Sequence, residues 1–472
     1  MSAKPFLIGD AWRTTSDTAD VCNPATGKNI GQVCLAGPGD IADAISSAVA
    51  AAEVCAALSA FRRAEILQGV CDGIRNRREE IVDGIVAQVG KPIRYARAEV
   101  DRAIITFTLA AEEATRIGGE VIPLDITPGT EHHLGITRRF PIGVVAAITP
   151  FNFPLNLAAH KIAPAFAAGN AVILKPAPQA PFTGLLLGEL FLAAGAPAGA
   201  LNVIPCSNEN AELLVRDDRI AMLSFTGSAS VGWHLRSIAG HKKVVLELGG
   251  NAPVILEDAE DLARTASILA NSAFAYAGQV CISTQRIFVN EKIYGPFCEA
   301  MVSAAKSCVV GDVKDEATIV GPLINDQAAV RITKWLEEAV TRGARVLCGG
   351  PPRGTVMSPS ILTDVPHDAL ICAEEAFAPV VILEKYGSFD EAIELANNSR
   401  YGLQAGVFTQ SLDKMLNAFA KLRTGAVIAN NAPSLRVDAM PYGGVKDSGT
   451  GREGIRASIA EMTDLRLLVI RG

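Results

Sequence analysis

From Gly143 to Leu248 the chain repeatedly switches between short, uninterrupted apolar runs and longer segments with helical spacing. Gly143-Val144-Val145-Ala146-Ala147-Ile148 and Ala171-Val172-Ile173-Leu174 carry no polar residue, as strands buried on both faces require. Further strands are expected at Leu201 to Ile204, Met222 to Phe225 and Val244 to Leu246. Helical spacing covers Leu155 to Ala168, which Gly169-Asn170 ends, then Phe182 to Ala194, Asn210 to Val215 and Ser230 to Ala239. Such alternation leaves little choice of fold. Strands joined through helices make right-handed crossovers and a parallel sheet, and ligands bind beyond the carboxyl ends of its strands.

The flanking segments add to this frame. The first 120 residues are mainly helical in pattern, with Ile41 to Ala57 and Arg62 to Gln88 as the clearest stretches. Phe6 to Trp12 reads as a strand and Asn23-Pro24-Ala25-Thr26-Gly27 as a turn. A second α/β stretch runs from Asn251 to Ala429, with strands at Gln285 to Val289, Val380 to Glu384 and Ala426 to Ile428. Glu131 to Phe140 and Asp464 to Ile470 fit neither half and resemble exposed strands in need of a partner, within the molecule or on another subunit. At 472 residues, two or three domains are expected.

Composition narrows the function classes. Apolar residues are 49% and charged residues 20%, the balance of a globular protein. A net charge of −7 without a basic run argues against nucleic acid as a partner. No apolar stretch reaches the roughly 20 residues of a membrane span, and Met1-Ser2-Ala3-Lys4-Pro5 lacks a signal-peptide core, so a cytoplasmic protein is expected. Ten cysteines without a Cys-x-x-Cys pair and six histidines without His-x-x-x-His spacing suggest a reducing compartment and no metal.

Three loops follow the first-sheet strands. Thr149-Pro150-Phe151-Asn152-Phe153-Pro154 offers an amide that can donate to an oxyanion, although Asn beside Pro is also a common turn former. Lys175-Pro176-Ala177-Pro178 offers a cation for a ribose or phosphate, or simply a surface lysine. Phe225-Thr226-Gly227-Ser228 opens a helix with small residues, which suits a pyrophosphate or only caps the helix. That loop does not have the Gly-x-Gly-x-x-Gly spacing of the common dinucleotide fingerprint. Glu247, before Leu248-Gly249-Gly250, is placed as a general base or as a peripheral ion pair. Cys281, in Gly278-Gln279-Val280-Cys281, is a nucleophile or one more core cysteine. Glu375 is a ribose ligand or a solvated acid.

In this order the loops resemble the aldehyde dehydrogenase superfamily along nearly the whole chain. The motifs are Pro150-Phe151-Asn152-Phe153-Pro154, Lys175-Pro176, Phe225-Thr226-Gly227-Ser228, Glu247-Leu248-Gly249-Gly250, Gly278-Gln279-Val280-Cys281, Glu374-Glu375-Ala376-Phe377-Ala378-Pro379 and Pro441-Tyr442-Gly443-Gly444-Val445-Lys446-Asp447-Ser448-Gly449. The resemblance implies an α/β fold with a Rossmann-like cofactor domain (1–121 and 141–248), an α/β catalytic domain (249–452) and a small β oligomerisation arm (122–140 and 453–472). It also implies a homodimer or homotetramer.

The same resemblance assigns roles. Cys281 attacks the aldehyde, Asn152 and the Cys281 backbone N–H hold the oxyanion, and Glu247 activates water to hydrolyse the thioester. Glu453 matches a proton-relay glutamate. Lys175 and Glu375 hold the two riboses, Ser228 meets the pyrophosphate and Phe377 packs near the nicotinamide of NAD or NADP. Ile148, Thr149, Pro150, Phe151, Gly227, Leu248 and Gly249 complete the cofactor site. Glu247 favours hydrolysis over transfer to coenzyme A, and retention of Cys281, Glu247 and Asn152 favours an enzyme over a silent binding member.

Two further points concern ligands. Many NAD-preferring members carry a glutamate where this chain has Pro178, which removes a barrier to NADP. The segment Arg436 to Gly444 resembles the branch of lactaldehyde, phosphonoacetaldehyde and non-phosphorylating glyceraldehyde-3-phosphate dehydrogenases, which act on small polar or anionic aldehydes. Arg102 and Arg436 correspond to its anion-binding positions and His160 to a polar position near the site, while Val280 stands where phosphorylated-triose enzymes have an arginine. Arg286 is expected to be structural.

Overall fold

The apolar runs assemble two separate sheets, and the register of the first one lines up the loops that matter. The computed structural model describes residues 2–472. In the first sheet Val144–Ile148 lies at the centre, flanked by Ala171–Lys175 on one side and Met222–Thr226 on the other. Beyond these lie Leu201–Val203 on one flank and Lys243–Glu247 on the other, all parallel. Ile148 pairs with Lys175 and with Phe225, and Thr226 with Glu247. Four strand ends therefore finish at one edge. The chain crosses from one flank of Val144–Ile148 to the other after Leu201–Val203, which makes this edge a topological switch point where a crevice opens.

The edges of this sheet come from distant parts of the chain. Phe6 to Trp12 folds as a hairpin rather than one strand: Phe6–Ile8 pairs antiparallel with Ala11–Arg13 across Gly9, whose φ of 67° suits glycine. At the other edge Gly449–Thr450 pairs antiparallel with Leu246 and Glu247. That short strand lies within the stretch expected of the catalytic domain, yet it closes the first sheet.

The helical stretch from Arg62 to Gln88 is two helices, Ala60–Asn76 and Arg78–Val89, broken at Arg77. A longer helix, Ile93–Ala114, follows. Every residue of helix Asn156–Ala167 is buried. Its first turn is held by the carboxylate of Glu99, which accepts from the backbone N–H groups of Leu155 (2.9 Å) and Asn156 (3.2 Å). A carboxylate at a helix N-terminus satisfies orphan donors and complements the helix dipole. Glu99 is itself paired with buried Lys91.

The second sheet runs in the order Arg345–Cys348, Ser360–Thr363, Val380–Tyr386, Thr284–Asn290, Ala252–Leu256, Gln404–Phe408 and Ala426–Ala429. Only its first pair is antiparallel. Leu256, Ile287, Val289 and Leu383 are fully buried; each such side chain contributes about 1.5–3 kcal/mol. The two orphan segments pair with each other: His133–Pro141 and Thr463–Arg471 run antiparallel, with Val121–Pro123 as a third strand. Leu465, Leu467, Leu468, Val469 and Ile470 stay exposed on this small sheet. Residues 455–461 form a helix that packs on Asn156–Ala167 instead of joining the arm. Among the described residues no single helix is long and apolar enough to cross a membrane.

Candidate active site

A cavity of about 540 Å³ opens at the switch-point edge, lined from both units of the chain. That is the size of a small-molecule site. The first sheet supplies Phe151, Asn152, Ser228, Glu247 and Gly249; the second unit supplies Cys281, Glu375, Phe377, Arg436 and Tyr442.

Small residues bring these parts together. A Cβ on Gly250 would lie 2.2 Å from the Cys281 carbonyl oxygen, so only glycine lets the strand that ends in Glu247 pass against the cysteine loop. Tyr276, Ala277 and Gly278 have φ values of 52°, 56° and 66°, a left-handed turn that reverses the chain between helix Leu262–Phe274 and Cys281. Two non-glycine residues in that region store strain, which is common beside reactive groups. A Cβ on Gly278 would come within 2.3 Å of the Ala378 carbonyl, which ties the cysteine loop to the Phe377 loop.

Cys281 is the one cysteine on the cavity wall among the described residues; Cys34, Cys55, Cys71, Cys206, Cys308 and Cys372 are buried in the cores. Its Sγ lies 3.0 Å from the Tyr442 hydroxyl. Burial pushes its thiol up to about 11, and the Tyr442 hydrogen bond opposes that shift. Asn152 donates Nδ2–H to the Gln279 carbonyl (3.0 Å), which fixes its amide beside the cysteine loop and leaves a second N–H on that nitrogen.

Glu247 is 3% exposed and neither carboxylate oxygen has a partner among the described residues. Burial, and then the nearby Glu453 carboxylate, hold it well above the usual carboxylate range. Glu453 differs. Burial alone would raise it, but Lys161 (2.9 Å) and Arg436 (3.3 Å) outweigh that and hold it at about 2. It lies behind the cavity wall, not on it.

The expected cofactor residues fall into two groups. Pro150, Phe151, Gly227, Ser228, Leu248, Gly249, Glu375 and Phe377 line the cavity. Ile148, Thr149 and Lys175 are buried just behind it at the strand ends. Lys175 is not a surface lysine: it is 4% exposed, burial lowers its pKa, and it donates to Asn208 Oδ1 at 3.2 Å. Ser228 precedes helix Ala229–Ile238 without capping it through its side chain, so the helix N-terminus faces the cavity uncovered. Glu375 accepts the Gly250 N–H at 3.0 Å, and burial raises it to about 7. A Cβ on Gly249 would lie 2.5 Å from Glu375 Oε2, so glycine makes room for that carboxylate. Phe377, at φ 46°, packs edge-on against Phe151 at 6.0 Å. A cation, an uncovered helix N-terminus, a carboxylate for hydroxyls and an aromatic pair together fit a nicotinamide dinucleotide.

The three residues expected near substrate are placed unequally. Arg102 and Arg436 line the cavity. Arg102 donates Nη2–H (2.6 Å) and Nε–H (3.1 Å) to Asp438. Arg436 stacks 3.7 Å over the Tyr442 ring, and its Nε is buried without a partner among the described residues. His160 is not on the wall; it is fully buried and bonds Asp438 Oδ1 at 2.8 Å. Its position in a helix buried all round puts it behind Asp438, where it steadies that carboxylate. Arg286 is structural: it is buried and donates to Asn251 Oδ1 (2.7 Å) and the Ala396 carbonyl.

Lys161, Asp438 and the Tyr442 hydroxyl were not assigned from the sequence. Lys161 had a signal: a lysine in a helix that is otherwise apolar but for Asn156 and His160 needs a buried counter-charge.

Comparisons with known proteins agree with this geometry. Residues 12–468 match the aldehyde dehydrogenase family. The chain is 42% identical over 466 residues to 3-sulfolactaldehyde dehydrogenase of Priestia aryabhattai, covering 98% of this chain and 97% of that protein. It superposes on aldehyde dehydrogenase 21 from Physcomitrella patens in complex with the reaction product succinate, with TM-score 0.98, 43% identity and coverage of 100% and 99%. It also superposes on glyceraldehyde-3-phosphate dehydrogenase from Methanocaldococcus jannaschii complexed with NADP, with TM-score 0.93, 38% identity and coverage of 97% and 100%. The chain belongs to the aldehyde dehydrogenase family and is an NAD(P)-dependent oxidoreductase.

Proposed function

We propose that the chain oxidises a small polar or anionic aldehyde to its carboxylic acid, with Cys281 as nucleophile and Glu247 as the base for hydrolysis. The observation that carries this reading is the shared cavity wall: a thiol, an amide donor and a buried carboxylate without partners, placed there by separate elements. Cys281 Sγ bonds the aldehyde carbon, and its proton passes to solvent. The carbonyl electron pair moves onto oxygen, where the free Asn152 N–H and the Cys281 backbone N–H receive the charge. The oxidised nicotinamide, when bound, supplies a hydride acceptor, so the adduct becomes a thioester on Cys281. Glu247 then takes a proton from water as the water oxygen bonds the acyl carbon, and the C–S bond breaks with its electron pair on sulfur. Lys175 and Glu375 hold the riboses, Ser228 the pyrophosphate, and Phe377 with Phe151 packs against the nicotinamide.

Arg102 and Arg436 favour an anionic group at the far end of the aldehyde, because a guanidinium pairs carboxylate or sulfonate oxygens through a planar fork. The sulfolactaldehyde enzyme and the succinate-bound structure, both acting on or releasing small anions, support that class. Pro178 is exposed beyond Lys175 and brings no carboxylate against a 2′-phosphate, so NADP is accepted. The assembly is a homodimer or homotetramer through the exposed three-stranded arm, and the enzyme works in the cytoplasm.

A panel of lactaldehyde, glycolaldehyde, succinic semialdehyde and phosphonoacetaldehyde, assayed with each cofactor, tests this. The expected result is free acid and reduced cofactor, highest kcat/KM for an anionic aldehyde, and NADP within about a hundredfold of NAD, about 2.7 kcal/mol. Acyl-coenzyme A as the product in the presence of coenzyme A contradicts it.

A further inference from the structure

We propose that Tyr442 is a catalytic residue, whose hydroxyl donates a hydrogen bond to the Cys281 sulfur when the thiol ionises and again when the thioester breaks. The proposal rests on the reading of Cys281 as the nucleophile. The tyrosine hydroxyl lies 3.0 Å from Sγ, inside the cavity, on a side chain only 3% exposed. Either atom donates in the resting thiol. Once the sulfur is ionised, only the hydroxyl has a proton, so the contact strengthens as charge develops. An interaction that grows along the reaction path lowers the barrier instead of merely binding the ground state.

Two features keep Tyr442 in this role. Its backbone is clamped by reciprocal hydrogen bonds with Glu453, with Tyr442 N–H to Glu453 O at 2.9 Å and Glu453 N–H to Tyr442 O at 2.6 Å. The Arg436 guanidinium sits 3.7 Å over its ring, and a cation on the ring face withdraws density and makes the hydroxyl a stronger donor. The charged and titratable neighbours of the thiol are Tyr442 and Arg436 from one loop, Glu375 from another and Glu247 from the sheet edge. Burial, with the two carboxylates, opposes ionisation, and the Tyr442 hydrogen bond is the largest influence in the other direction. Burial first, then the Cys281 charge, holds the Tyr442 phenol well above its ordinary range, so it remains a donor.

On ionisation the S–H bond breaks, the pair stays on sulfur and the proton passes to solvent; Tyr442 keeps its own proton. On deacylation the C–S pair returns to sulfur and meets the same O–H. Tyr442 is therefore a donor at both ends of the covalent stage, not a proton carrier.

The test reads the thiol directly. Cofactor-free enzyme is alkylated with iodoacetamide across the neutral to alkaline range, and modification of the Cys281 peptide is followed by mass spectrometry. Tyr442→Phe removes one oxygen and keeps the ring under Arg436. Its inflection is expected to move up and its rate at neutral pH to fall about tenfold, the effect of one pH unit. In steady state kcat falls while KM changes little. Site-specific 3-fluorotyrosine at 442, a more acidic donor, is expected to move the inflection down. An unmoved or lowered inflection in Tyr442→Phe, or an upward shift with fluorotyrosine, overturns the proposal and leaves the reading of Cys281 untouched. Turnover retained by Cys281→Ala overturns that reading, whatever the profile shows.

Discussion

Glu247 on the reacting wall of the cavity and the carboxylates directly behind it are treated in opposite ways. On the wall, Glu247 Oε1 and Oε2, Asn152 Oδ1 and Thr226 Oγ1 are buried without partners among the described residues. Behind it, Glu453 is shared by Lys161 and Arg436, and Asp438 by Arg102, His160 and Asn156. Burial raises Glu247, whereas its neighbour Glu453 is held at about 2 by its cations despite equal burial. An unpaired buried polar atom costs about 1–3 kcal/mol and more if charged. Glu247 lines the cavity without a cation paired to it among the described residues, and the ion-paired carboxylates Glu453 and Asp438 stand one layer back.

The contrast breaks most visibly at Glu247. Glu247→Gln is expected to lower kcat about 10²–10⁴-fold, the usual contribution of a positioned base. The same change is expected to raise stability by about 1–3 kcal/mol at neutral pH, because the amide places no charge in the buried site. The sign follows from linkage. A raised folded pKa favours the protonated form, so Glu247 costs stability as pH climbs above the ordinary carboxylate value, and Gln relieves that cost. Wild-type kcat should rise with pH through the raised Glu247 pKa, and the variant should lose that limb. Denaturant melts beside pH-rate profiles check both; a variant less stable than wild type would remove the contrast.

Lys161→Met tests the layer behind. It leaves Glu453 with Arg436 alone, and breaking a buried pair costs about 3–5 kcal/mol. Thermal unfolding should show the loss, with a smaller fall in kcat than Glu247→Gln gives. Glu453 also adds stability above the ordinary carboxylate pKa that is lost as pH falls toward about 2, so acid unfolding of the variant should lose that part of its slope.

Asp438→Asn sharpens the comparison with the smallest effect. Without its charged anchor, Arg102 is held less firmly against the cavity. Its kcat/KM for an anionic aldehyde is expected to fall about tenfold, about 1.4 kcal/mol, with a neutral aldehyde little affected. Equal loss for both would make Asp438 a purely structural residue.

The wall was largely readable before the structure, and the layer behind it was not. Cys281, Glu247 and Asn152 sit in loops whose glycines and prolines mark them, and Gly250 shows why: no larger residue lets the Cys281 carbonyl pass. The strands Val144–Ile148, Ala171–Lys175 and Met222–Thr226 were clear because burial on both faces demands unbroken apolar runs. Hairpin Thr18–Cys22 with Asn29–Cys34 was not, since it is half exposed and carries no such run. Lys161, His160 and Asp438 take their meaning from partners far along the chain, which local pattern does not encode. His160 accordingly looked like a substrate neighbour and stands behind Asp438. The short strand Gly449–Thr450 was hidden for the same reason: only its pairing with Glu247 defines it.

In the proposed reaction Cys281 forms a thioester that Glu247 makes hydrolysable. Rapid mixing of Glu247→Gln with aldehyde and NADP, followed by acid quench and mass spectrometry, tests it most directly. The expected result is a burst of one reduced cofactor per subunit and an acyl mass on the Cys281 peptide that persists. Continued turnover at the wild-type rate, or a burst with no adduct on Cys281, would contradict it.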